Sequence, residues 1–367
     1  MKKLFIIFAI LCLAAPAMAA DWNFYGSARF ATFSVDVDPD LPGVDSDTDT
    51  QWAQQGNSRI GATVKFNDQI GGGFEMSDSF GKRKLYGTYT FGNGGELLIG
   101  QTYTPSALFY SNSVYDGDGD LLGVGEFYEG RLPMIQFKMG GLKVALISPS
   151  TVDYELTPAV EAEFLSTDGV TTIDAEVEAA ENYDTDVTLP KIEVGYGFKM
   201  DMFFADVFAG YQTYELDANN AGTDYDVDSY VIGAGVGANF GAFFAKVGAH
   251  MGQNLGNYGA YNPVGLNDEM SIAGGTEKDA DGLGYLAVLG FSPSEMLTIE
   301  AGYGYEEAEV DDSNNTESAW QWYVNCTVNI APGFFIVPEV GQINYEDDVT
   351  SNDPQTTYFG AKWQINF

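Results

Sequence analysis

Residues 355–367 read QTTYFGAKWQINF. From Thr357 onward alternate positions are Thr357, Phe359, Ala361, Trp363, Ile365 and Phe367, and between them lie Tyr358, Gly360, Lys362, Gln364 and Asn366. A period of two puts the first set on one face of a strand and the second on the other, so one side is apolar and the other largely polar. Aromatic residues near the ends of such a strand suit the two interfaces of a membrane. Only helices and closed barrels satisfy every backbone group in lipid. The rest of the chain is therefore read for a barrel.

At the other end, Met1, Lys2 and Lys3 precede an apolar run over 4–15 and then Ala17, Met18 and Ala19. A charged start, a short apolar middle and small residues predict a secretory signal peptide over 1–19, with 20–367 as a single domain. Cys12 falls inside that signal, which leaves Cys326 alone and excludes an intrachain disulfide. Sixteen basic against 53 acidic residues give a net charge of −37, and loss of Lys2 and Lys3 takes it to −39. So acidic a chain is a poor ligand for nucleic acid, which demands clustered Lys and Arg, and a better one for divalent cations. After the signal no run of 18 apolar residues occurs, so no transmembrane helix is expected.

Sixteen segments alternate: 21–33, 57–66, 73–80, 83–91, 96–103, 131–139, 142–148, 188–200, 203–215, 226–240, 243–253, 282–291, 296–309, 318–330, 334–346 and 356–367. An even number fits closure. Tight turns at 140–141, 201–202, 241–242, 292–295 and 331–333 alternate with long polar connections at 34–56, 104–130, 149–187 and 254–281, the rhythm of a membrane barrel with both termini on the short-turn side. The fold class predicted is all-β: a transmembrane antiparallel 16-stranded barrel. Inside the connection 149–187, the runs 160–165 and 170–177 read as an extra hairpin. In segment 334–346, Glu339 and Gln342 fall on opposite faces, and a bulge near Gly341 would reconcile them.

Faces follow from the alternation. Trp320, Trp322, Val324, Cys326, Val328 and Ile330 are expected to face lipid, and His250, the only histidine, to face inward with Lys246. Any Ser-His chemistry would need His250, and no Ser motif points to it, so the chain is not read as an enzyme. Lys65, Lys138, Lys143, Lys199 and Lys246 are expected to ring the short-turn rim. Arg29, Arg59 and Lys362 project inward from the first, second and last strands, neighbours once the barrel closes, and form a basic patch with Arg83 or Lys84. The long connection 104–130 carries Asp116, Asp118, Asp120, Glu126 and Glu129 and is expected to fold into the lumen, setting acid against base across a narrow wet gap. Asp116, Asp118 and Asp120 in "DGDGD" are also candidates for a structural calcium ion, although Leu121 stands where an EF-hand loop has glycine.

Three patches carry a resemblance: Asn57-Ser58-Arg59-Ile60-Gly61, the stretch 92–105 (GNGGELLIGQTYTP), and the terminal strand ending in Phe367. Together they resemble the sixteen-stranded general porins of Gram-negative outer membranes, although Gln101 stands where many members carry a pore arginine. The resemblance implies an outer-membrane location among lipids and lipopolysaccharide, a homotrimer, and a constriction loop inside each barrel. With a lumen too wide for side chains to fill, the expected function is passive diffusion of small hydrophilic solutes and ions, weakly to moderately cation-preferring because of the loop acids. The alternatives are a substrate-specific channel and a structural or adhesive barrel with a plugged lumen.

Overall fold

The computed structural model describes residues 20–151, 183–218, 223–273, 275–313, 316–347 and 353–367. The predicted signal peptide and the extra hairpin lie outside them. Among the described residues twenty strands are formed: β1 (Asp21–Asp38), β2 (Asp47–Gln54), β3 (Arg59–Lys65), β4 (Ile70–Ser77), β5 (Lys82–Thr90), β6 (Glu96–Tyr103), β7 (Arg131–Met139), β8 (Leu142–Ile147), β9 (Tyr183–Asp186) and β10 (Lys191–Lys199). They continue with β11 (Phe203–Ala218), β12 (Tyr225–Phe240), β13 (Phe243–Gln253), β14 (Ser271–Ala273), β15 (Thr276–Lys278), β16 (Ala280–Ser294), β17 (Leu297–Val310), β18 (Thr316–Ala331), β19 (Phe334–Asp347) and β20 (Gln355–Asn366).

β1 pairs with β3 below and with β2 above, so these two are halves of one wall strand, and β9 and β10 are likewise halves of another. β14 and β15 make a separate two-stranded piece. The remaining pairings are antiparallel between neighbours, and β1 meets β20 from Ser27↔Asn366 to Asp38↔Gln355. The result is a closed sixteen-stranded barrel. Gly140 and Gly241 adopt φ of 59° and 65° at the tight turns after β7 and β12, a conformation that favours glycine.

The two faces are inverted relative to a water-soluble sheet. Leu289, Phe359 and Ile365 are 66%, 63% and 52% exposed on the outside, while Gln136, Glu193, Gln212 and Glu339 are buried within. Apolar surface on this scale needs lipid to cover it. Along β18 the outward set matches expectation, with Val324 and Ile330 exposed and Gln321, Tyr323 and Asn325 buried inside.

In β19 the expected bulge near Gly341 is absent: the register with β20 runs unbroken from Phe334 to Asn344, and the shift against β18 falls between Asn329 and Ala331. Gln342 does face outward, where its carbonyl oxygen accepts the Trp322 indole at 3.3 Å and its amide donates to Thr357 Oγ1 at 3.0 Å. Partners on its own face remove the need for a bulge.

Candidate functional site: the channel lumen

The connection 104–130 is fastened to side chains on the polar face of the wall. Glu339 of β19 accepts Ser113 Oγ at 2.8 Å, the Val114 amide at 2.8 Å and the Tyr115 amide at 3.0 Å. Asn325 of β18 donates to the Asn112 carbonyl at 2.6 Å. Lys246 of β13 donates to the Tyr110 carbonyl at 2.5 Å, and Tyr110 Oη donates to Asp206 of β11 at 2.8 Å. Lys246 thus reaches the connection instead of standing in a rim. The Tyr110 ring lies against Gly235, where a Cβ would meet it, so glycine on β12 makes the room. Glu306 of β17 accepts the Gly125 amide at 2.8 Å and holds His250 Nε2 at 2.8 Å. His250 is therefore a buried wall residue with one carboxylate partner.

At the far side the connection turns through left-handed backbone at Asp116, Gly117, Asp118 and Asp120, with φ of 48°, 79°, 60° and 54°. Asp tolerates that region better than most residues. The turn presents Asp118 to the seam, where Arg29 pairs with it, Lys362 lies 2.8 Å away and Asn57 Nδ2 donates at 2.9 Å. Asn57 is available because the wall strand breaks between β2 and β3. In the same break the Gln55 amide side chain donates to the Val114 carbonyl at 3.0 Å. Tyr115 stacks on Tyr358 of β20 with ring centroids 3.8 Å apart.

Glu75 on β4 gathers the other cations. Its side chain is 2% exposed and lies 2.8 Å from Arg83 Nε, 3.4 Å from Lys84 Nζ and 3.7 Å from Arg59 Nη1, and it accepts Tyr25 Oη at 3.0 Å. Arg83 and Lys84 are adjacent in sequence yet both reach it, because the β4–β5 register shifts between Glu75 and Met76. A bulge re-aims one side chain onto its neighbour's face. Arg131, at the head of β7, donates to Tyr103 Oη at 2.6 Å and stands 4.4 Å over that ring, while Lys84 stands 4.8 Å from it.

Against this cluster lies an open cavity of about 720 Å³. Arg29, Arg59, Arg83, Arg131 and Lys362 line it, facing Asp116, Asp118 and Asp120. Of the basic patch expected from the sequence, Arg29, Arg59 and Lys362 line the cavity together with Arg83, whereas Lys84 reaches Glu75 and is not in the lining. Glu75, which the β4–β5 pairing opposite Lys84 signals, and Arg131 are additions to that patch. Glu126 and Glu129 are elsewhere. Glu126 is buried, accepting the Tyr110 amide and, at 3.0 Å, Ser111 Oγ; burial pushes its carboxyl up to about 7. Glu129 pairs with Lys191 at 2.5 Å, both side chains fully covered. The three aspartates do not close on a common point, since Asp118 already answers two cations, and among the described residues no three His, Cys, Asp or Glu side chains are placed to hold a metal.

A family model described as Gram-negative porin matches residues 7–348. The chain belongs to the Gram-negative porin family. Among solved structures, this porin resembles the outer membrane channel DcaP of Acinetobacter baumannii at 16% identity and TM-score 0.69, covering 95% of this chain and 97% of that one. An anion-selective porin from Comamonas acidovorans is similar at 12% identity and TM-score 0.53, over 95% and 100% of the two chains. OmpF of Salmonella typhi follows at 10% identity and TM-score 0.54, over 95% and 98%. A comparison with curated proteins found no match. The porin family and barrel place the protein in the bacterial outer membrane as a channel and not an enzyme.

Proposed function

We propose that this porin is a passive diffusion channel for small hydrophilic solutes, narrowed by the connection 104–130 folded into its lumen. One observation carries the reading. The 720 Å³ cavity is lined both by Arg83 and Arg131, at the long-loop ends of β5 and β7, and by Asn329 and Gln364, near the opposite ends of β18 and β20. Polar side chains at both levels of the cavity suit a water path. Assembly as a homotrimer is part of the same proposal, supported by a Vibrio cholerae relative, OmpT, whose structure is described as a trimer form.

We infer a weak anion preference in place of the cation preference that the loop acids alone imply. Glu126 and Glu129 do not line the cavity, and with Glu75, which holds Arg59 and Arg83, and Asp118, which holds Arg29 and Lys362, four acids stand against the five lining cations, a small positive excess. Acids at the mouth act over a Debye length of about 8 Å at physiological salt and are screened, whereas charges on a narrow low-dielectric wall are screened less. The test is the single-channel conductance and reversal potential of the refolded protein in a planar bilayer under a salt gradient. A steady conductance with an anion-favouring potential is expected. A cation-favouring potential returns selectivity to the mouth, and no conductance overturns the channel.

A further inference from the structure

The segment from Asn254 to Asn267 also reaches the polar face of the wall. Asn254 Nδ2 donates to the Asp228 carbonyl of β12 at 2.9 Å, and a single helical turn, Leu255–Tyr258, follows. The Asn257 carbonyl accepts Gln212 Nε2 at 2.9 Å, and Asn257 Nδ2 donates to Tyr214 Oη at 3.1 Å, both on β11. Tyr258 Oη donates to Glu193 of β10 at 2.8 Å. Leu255 rests over Gly252 of β13 and Gly282 of β16, where added Cβ atoms would meet its side chain. Farther along, the Asn267 amide donates to Glu317 of β18 at 2.8 Å. The segment is thus fastened from β10 round to β18.

It is also locked to the connection 104–130. The Tyr261 amide donates to the Tyr128 carbonyl at 2.6 Å, and a Cβ on Gly123 would strike the Tyr261 carbonyl and the Pro263 ring. Lys191 Nζ joins Glu129 of one segment to the Tyr258 carbonyl of the other, each at 2.5 Å. Phe127, Phe208, Val231, Leu255 and Tyr258 form one buried cluster between them and the wall. Past this contact the 720 Å³ cavity begins, and the residue this segment contributes to its lining is Tyr261, 46% exposed.

We propose that this segment is a second lumenal constriction, filling the β10–β17 side of the barrel, and that Tyr261 is the residue through which it sets the bore. Flow is then confined to the crescent against β1–β7 and β18–β20. The inference rests on the channel reading above. A buried, hydrogen-bonded segment excludes water, and the current through what remains follows the narrowest wet cross-section.

Planar-bilayer conductance tests it with three variants: Tyr261→Ala, Tyr261→Trp, and a full-length chain in which 256–268 is a Gly-Ser segment of equal length. Tyr261→Ala is expected to raise and Tyr261→Trp to lower the single-channel conductance, and the Gly-Ser variant to raise it about twofold. Should the Gly-Ser variant fail to fold, the two Tyr261 substitutions decide. A wild type that conducts while Tyr261→Ala and Tyr261→Trp both match it overturns the second constriction and leaves the channel standing. A wild type that does not conduct overturns the channel itself. As a further check, Tyr128→Cys with Tyr261→Cys in a Cys326→Ser background is expected to show the same conductance reduced and oxidised; a conductance that changes on disulfide formation would mean that the segments are not held together here.

Discussion

Lys362 of β20 and Asp118 of the connection 104–130 stand 2.8 Å apart, and Arg29 of β1 closes on the same carboxylate from the neighbouring strand. Lys362 is opposite Ala31 across the β1–β20 pairing, so the connection is pinned at the seam of the barrel. Removing the carboxylate frees two cations on the cavity wall. Asp118→Asn is expected to shift the anion-to-cation permeability ratio about two- to threefold toward anions, read from the reversal potential. A ratio equal to wild type would mean that these charges do not face the permeating ions.

Glu339 receives three donors from 113–115 and one from Asn325. Truncating it leaves buried amides unpaired at about 1–3 kcal/mol each. Glu339→Ala is expected to release that part of the connection and raise both conductance and current noise. Glu339→Gln, which keeps a carbonyl acceptor, should fall between the two. Unchanged current in Glu339→Ala would show that the connection does not limit flow.

Glu75 holds Arg59, Arg83, Lys84 and Tyr25 together from a buried position. Taking the charge from a buried ion cluster costs about 3–5 kcal/mol. Glu75→Gln is expected to lower the urea midpoint of the detergent-folded barrel by a corresponding amount; a midpoint within error of wild type would place the cations in solvent.

Glu126 and Asp268 both have carboxyls pushed up to about 7, burial being the larger cause in each, with Glu269 adding like charge beside Asp268. For an acid whose pKa is raised on folding, the folded state binds more protons between the unfolded and folded values, so stability falls as pH rises through that window. The window runs from about 4 to about 7. The two segments are expected to be held more firmly at pH 5 than at pH 8, seen as quieter single-channel current at pH 5. Glu126→Gln with Asp268→Asn should flatten that dependence, and a wild-type trace equally quiet at both values would count against it.

The wall was legible in the sequence because alternation is local: each strand declares its two faces, and Arg29, Arg59 and Lys362 could be gathered by asking which strands meet on closure. What fills the wall was less legible. The fastening of Tyr258 to Glu193 joins residues 65 positions apart in sequence, and no spacing rule announces it. Glu126 and Glu129 read like the aspartates beside them, and only the packing of Tyr110 and Lys191 separates buried acids from lining ones. The four-residue break between β2 and β3 and the one-residue bulge before Lys84 are local adjustments that alternation averages away.

At the seam, Gly26 and Phe367 exchange backbone hydrogen bonds of 2.7 and 3.0 Å, and Thr32 reaches the Ala361 carbonyl across 329 positions of sequence. Such a join fixes a chronology. The ring of hydrogen bonds stays open until β20, the final strand, arrives, and until then β1 and β19 each expose a raw edge able to pair with any passing chain. For this protein, the interval between the first strand's emergence and the last strand's docking is the period of greatest exposure to aggregation.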